Sequence, residues 1–173
     1  MSVDEPVKPP EFLKKDSWEL HRLIGDIACR SAEVDQVVTV LCVVLASTPG
    51  TNDALANVRK KSLKEQRELL PKLATGLAAD RPDLASRITA LVARIPPIME
   101  LRHLVIHGVW WSTVQDVDVV SMLKWARTEM RPFAADQLVE ISMELRSIFF
   151  EGLAIMGDLT GTGPQSSDAR PNT

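Results

Sequence analysis

Between Met99 and Trp111 the chain reads Met-Glu-Leu-Arg-His-Leu-Val-Ile-His-Gly-Val-Trp-Trp, placing two of its three histidines beside an arginine. Taken as a helix from Ile98 to Gly108 at about 100° per residue, with Arg102 at zero, this stretch puts Ile106, His103 and His107 within about 140° on one side. Leu104, Gly108, Leu101, Val105 and Ile98 fall between about 200° and 320°, an apolar stripe suited to packing. The polar face is therefore free for chemistry. Arginine is a fixed cation whose planar donors match phosphate, and histidine can hold or release a proton near neutral pH. Together they suit phosphodiester chemistry. Elsewhere the chain has no phosphate-cradling glycine loop, no Gly-x-Ser-x-Gly and no Cys–His pair with a recognisable signature.

The same residues admit plainer readings. Arg102 could be a surface arginine in an ion pair and His107 a histidine closing a helix near its negative dipole end. His103 and His107 at i, i+4 spacing could chelate zinc, but a third ligand is needed. His21 or Glu100 would have to be brought in by folding, since no His-Glu-x-x-His or cysteine set accompanies the pair. No metal and no cofactor is therefore expected. Trp110, Trp111 and Trp125 could stack on bases, although at least two of three such large aromatics are expected to fill core or interface. Glu33 and Asp35 could approach Arg102 and orient it.

Composition bounds these readings. The 173 residues are 45% hydrophobic and 25% charged, ordinary for one globular domain with a sizeable core. A formal charge of −3 lacks the basic bias of a strong nonspecific nucleic-acid binder. The densest basic run is Arg59-Lys60-Lys61 with Lys64 and Arg67; on a continuous helix Lys60, Lys64 and Arg67 would share a face. Val37 to Ala46 is apolar but only ten residues long, against roughly 20 needed to span a bilayer, so no membrane partner is expected. The first sixteen residues have neither a basic start nor an apolar centre, and a cytoplasmic location is the expectation. Cys29 and Cys42 lie on one helical stretch, about 20 Å apart if it is continuous, and are read as small buried apolar residues.

The motif must be positioned by helices. Residues 1–15 read as a proline-punctuated arm, with Asp16 or Ser17 able to cap the first helix. Leu20, Ile24, Ile27, Ser31, Val34, Val38, Leu41 and Leu45 alternate four and three apart, a heptad-like seam broken only by Ser31. A loop at Ser47-Thr48-Pro49-Gly50 follows, and Thr51 or Asn52 can cap a short helix over 53–58. Ser62-Leu-Lys-Glu65 matches a capping box opening a helix toward Leu77, with Pro71 bending it. Pro82 begins the next helix. Pro96-Pro97 predicts a kink or break, with Pro97 starting a separate motif helix. Val109–Val114 and Val117–Trp125 are predicted strands turning at Gln115-Asp116. A last amphipathic helix runs from Ala135 to about Gly157, and 158–173 has the composition of a disordered tail.

Arg102-His103-Leu104-Val105-Ile106-His107 is an R-x-x-x-x-H motif with a polar residue directly after the arginine, on a helix of a mainly α chain. It resembles the HEPN superfamily, the "higher eukaryotes and prokaryotes nucleotide-binding" helical domains. That signature allows four to six residues between arginine and histidine, so Arg102, His103 and His107 fall on its three functional positions. The wider order is also similar to small bacterial members: a long first helix with mid-helix acids, a late motif followed by Gly and Trp, a short hairpin and a final helix. The resemblance covers roughly residues 17–157. It implies a single helical domain over 16–157 that forms a homodimer, with two motifs facing one cleft. It also implies a metal-independent endoribonuclease of toxin or defence type, with an antitoxin or other protein partner. Here a neutral His107 would accept the ribose 2′-hydroxyl proton, and a protonated histidine would serve the leaving oxygen. Arg102 would stabilise charge on phosphorus oxygens, and His103 would bind phosphate or hold the geometry. The alternative is a noncatalytic dimeric module of the same type, binding a protein or nucleotide.

Overall fold

The computed structural model describes residues 18–47, 57, 58, 60–108 and 135–162 in full, and the backbone of 109–112, 118–124 and 127–132. Four helices dominate: α1 (Trp18–Ala46), α2 (Leu63–Thr75), α3 (Pro82–His107) and α4 (Ala135–Thr160). The architecture is mainly α.

The seam on α1 becomes the centre of the core. Leu20, Ile27, Ser31, Val34, Val38 and Leu41 are buried, with Leu23, Val37 and Cys42 widening the stripe. All of these except Ser31 and Val37 join Ile88, Leu91, Ile95 and Ile98 of α3 and Leu138, Ile141, Leu145, Ile148 and Ile155 of α4 in one cluster. Burial of a side chain of this kind contributes roughly 1.5–3 kcal/mol, so this cluster, not local propensity, holds the helices. Cross-helix pairs give the directions. Asp26 meets Ser142, and Val37 lies against Gly152, so α1 and α4 run parallel. Arg94 meets Glu144 and Arg87 meets Glu151 and Asp158, so α3 runs antiparallel to α4. The C-terminal end of α3 therefore lies at the same end of the bundle as the start of α4.

α2 packs on α1 and α3. Its N-terminus is closed by the capping box read from sequence: Ser62 Oγ accepts from Glu65 N–H, and the Glu65 carboxylate accepts from Ser62 N–H. The Ser62 hydroxyl also donates to that carboxylate at 2.7 Å, and this bond, together with the one from Ser62 N–H, holds the Glu65 carboxyl below its ordinary range. Gln66 is 4% exposed and satisfies its amide fully, donating to Val58 and Lys61 carbonyls at 3.1 Å and accepting from Thr39 at 2.6 Å.

Several expectations are corrected. α3 is one continuous helix with Pro96 and Pro97 inside it, so no separate motif helix begins at Pro97. Each proline removes one backbone donor, but both rings lie on the exposed side. Ile88, Leu91, Ile95 and Ile98 stay buried on either side of the pair, and tertiary burial outweighs the local penalty. α2 starts only at Leu63, with Lys60 in the preceding turn, so Lys60 does not share a helix face with Lys64 and Arg67. Cys29 is exposed and only Cys42 is buried, because Cys29 lies about 200° around α1 from the core residue Ile27. Burial pushes the Cys42 thiol up to about 11. α4 runs a turn beyond Gly157, to Thr160, where Asp158 accepts from Arg87 at 2.6 Å.

After α3 the backbone pairs Val109–Ser112 (β1) with Asp118–Lys124 (β2), and β2 with Arg127–Pro132 (β3), all antiparallel in the order β1-β2-β3. The helix caps expected at Asp16, Ser17, Thr51 and Asn52, the Gln115-Asp116 turn, Trp125, Arg59, the 1–15 arm and the tail beyond 162 lie outside the described residues. Among the described residues no helix is long and apolar enough to cross a membrane.

Candidate functional site

The last turns of α3 carry the motif. Leu104 and Val105 are buried and face the core, whereas His103 and His107 are exposed and Arg102 and Ile106 are half-buried. This is the division that the helical spacing predicts. α3 ends at His107, and the extended Gly108 returns its N–H to the Leu104 carbonyl at 3.0 Å. The helix end thus stops at the second histidine, with the chain turning away into β1.

Three contacts define the cluster. Arg102 Nε donates to Ser31 Oγ on α1 at 3.1 Å. Arg102 Nη1 lies 3.5 Å from His107 Nε2. The His103 and His107 rings lie one turn apart, with centroids 4.7 Å apart and planes tilted by 49°. A guanidinium only donates, so hydrogen bonding to His107 requires Nε2 as acceptor, the neutral tautomer with its proton on Nδ1. All three motif residues are therefore brought together on one solvent-facing edge of α3, and Ser31 is added to them from another helix.

Ser31 is the residue that motif reasoning missed. It is 1% exposed and the single polar break in the α1 seam. Its hydroxyl donates to the Ala28 carbonyl at 2.8 Å and accepts from Arg102, so both of its roles are used. The sequence signal was that break: a hydroxyl in an apolar seam needs a partner, and a buried one without it costs free energy.

The acids expected near Arg102 are engaged elsewhere. Glu33 accepts from Arg30 at 3.1 Å, and Asp35 accepts from Arg67 at 2.5 Å. Among the described residues no carboxylate forms an ion pair with Arg102; its anchor is a neutral hydroxyl. Arg67, the far end of the basic run, is neutralised by Asp35, and Lys64 lies 4.0 Å from Glu68. Among the described residues no group of three His, Cys, Asp or Glu side chains could hold a metal ion, so neither His21 nor Glu100 completes a zinc site with the pair. No protein-family model, curated protein or solved structure matches the chain.

Proposed function

We propose that this chain is a HEPN-like metal-independent endoribonuclease, with Arg102, His103 and His107 as its catalytic set in a homodimeric, cytoplasmic protein of toxin or defence type. The small hairpin after the motif helix belongs to that reading. The observation that carries it is the cluster itself: a cation held through Nε, with its Nη1 against one histidine and a second histidine one turn away. In the reaction, His107 Nε2 takes the proton of a ribose 2′-hydroxyl. The 2′-oxygen bonds to the adjacent phosphorus, and the bond from phosphorus to the 5′-oxygen breaks. That oxygen receives a proton from a protonated histidine, His103 or one from a second copy of the chain. Arg102 stabilises the charge that builds on the non-bridging oxygens. The products are a 2′,3′-cyclic phosphate and a 5′-hydroxyl.

The test is cleavage of a mixed single-stranded RNA pool by purified protein in EDTA, beside folded Arg102→Ala and His107→Ala proteins. Cleavage by the parent alone supports the reading. No cleavage by the parent, or equal cleavage by all three, moves it to the alternative, a noncatalytic dimeric module that binds a protein such as an antitoxin, or a nucleotide. One observation favours that alternative: the pairing of Arg67 with Asp35 removes a cation from the densest basic run.

A further inference from the structure

We infer that Ser31 is a positioning residue for the phosphodiester site, fixing Arg102 so that the guanidinium can meet an anion only through its two terminal nitrogens. This deepens the ribonuclease reading and rests on it. A guanidinium offers two flat edges to an oxyanion: a side edge made by Nε and one Nη, and an end edge made by the two Nη groups. Here Nε is committed to Ser31 Oγ at 3.1 Å, so the side edge is closed. The end edge includes Nη1, the atom 3.5 Å from His107 Nε2. A phosphate held there is brought beside the histidine assigned the 2′-hydroxyl proton. The anchor thus selects the one of two docking modes that joins the cation to the base.

Packing alone does not call for a serine at this position. α1 is a helix interior, where alanine is intrinsically better than serine, and every other position of the seam is apolar. Nor does the hydrogen bond to Ala28 explain it, since alanine would leave that carbonyl with its ordinary helical partner. What alanine cannot do is accept from Nε. The anchor reaches across 71 residues of sequence, and it is seated on α1 between Ile27 and Val34, each 0% exposed. It is therefore as rigid as the core. A neutral acceptor also leaves the full positive charge of Arg102 for the ligand, which an acidic partner such as Asp35 would partly cancel.

The 173-residue chain labelled with nitrogen-15 provides the test, using the parent, Ser31→Ala and Ser31→Cys. The cysteine variant keeps the volume of the seam but presents only a weak acceptor. Two readouts are taken: solvent exchange of the Arg102 Nε proton, assigned by its disappearance in Arg102→Lys, and binding of a 2′-O-methyl RNA tetranucleotide, followed through the His103 and His107 ring protons. The oligonucleotide cannot be cut, because its 2′-oxygen carries no proton. The expected result is a protected Nε proton in the parent and a fast-exchanging one in both Ser31 variants. Oligonucleotide affinity falls about tenfold in those variants, the scale of one hydrogen bond to a charged group. Unchanged exchange, or parental affinity in either folded Ser31 variant, overturns the inference. A parent that neither binds nor cuts RNA overturns the ribonuclease reading separately; the anchor then stands or falls on the Nε exchange alone.

Discussion

At Gly152 α4 approaches α1 closely, and adding one methyl group there tests the packing that carries Ser31. A Cβ at Gly152 would lie 2.8 Å from Val37 Cγ2 and 3.0 Å from Cγ1. Val37 is 2% exposed and β-branched, so its side chain is stiff at χ1. Overpacking of this size costs about 1–3 kcal/mol. Against it stands the helix preference for alanine over glycine, worth about 1 kcal/mol. Gly152→Ala is therefore expected to destabilise by up to about 2 kcal/mol, read as a fall in the urea midpoint at constant m. Val37→Ala removes the two clashing methyl groups and by itself costs roughly 2 kcal/mol as a cavity. In that background the clash is gone and only the helix preference remains, so Gly152→Ala becomes stabilising by about 1 kcal/mol. The sign reverses between backgrounds, with a coupling of about 1–3 kcal/mol. Equal effects of Gly152→Ala in both backgrounds would refute the close α1–α4 approach.

The continuity of α3 predicts that Pro96→Ala returns a donor to the Val92 carbonyl and raises stability by about 1–3 kcal/mol; a fall in stability would mean that the prolines mark a break. The two cysteines should separate in the folded protein: iodoacetamide, followed by mass spectrometry, modifies exposed Cys29 and spares Cys42. The Cys42 thiol, at about 11 when folded and 9.0 as its ordinary value, sets a pH dependence as well. Between those values the unfolded chain has lost a proton that the folded chain keeps, so stability falls as pH rises from about 9 to 11. Cys42→Ala should flatten that part of the pH–stability curve, and an unchanged slope would contradict the assignment.

The helices were legible because their signals are local and repeated. The α1 seam, the Ser62–Glu65 box and the opening Pro82 each state a boundary or a buried face within a few residues. The exposed edge of α3 was equally legible, since His103 and His107 face outward wherever the helix packs by Leu104 and Val105. Partner choice was not legible. Asp35 and Arg67 are 32 residues apart, and Ser31 and Arg102 are 71 apart. Nothing in the spacing of one helix says which residue of another will stand opposite. The Pro96-Pro97 pair misled for the opposite reason: a strong local signal against helix was overridden by burial on both sides of it. Ser31 lies between these cases, because its polarity within the seam announced a partner without identifying it.

In the proposed reaction the Arg102–His103–His107 cluster cuts RNA through the ribose 2′-oxygen, without metal. The most direct test is end-group analysis of RNA fragments produced in EDTA, on substrates with an ordinary 2′-hydroxyl or a 2′-deoxy sugar at the preferred site. The expected result is 2′,3′-cyclic phosphate and 5′-hydroxyl ends from the first substrate and no cut in the second. Uncut RNA, 3′-hydroxyl and 5′-phosphate ends, or cleavage at the deoxy position would contradict it.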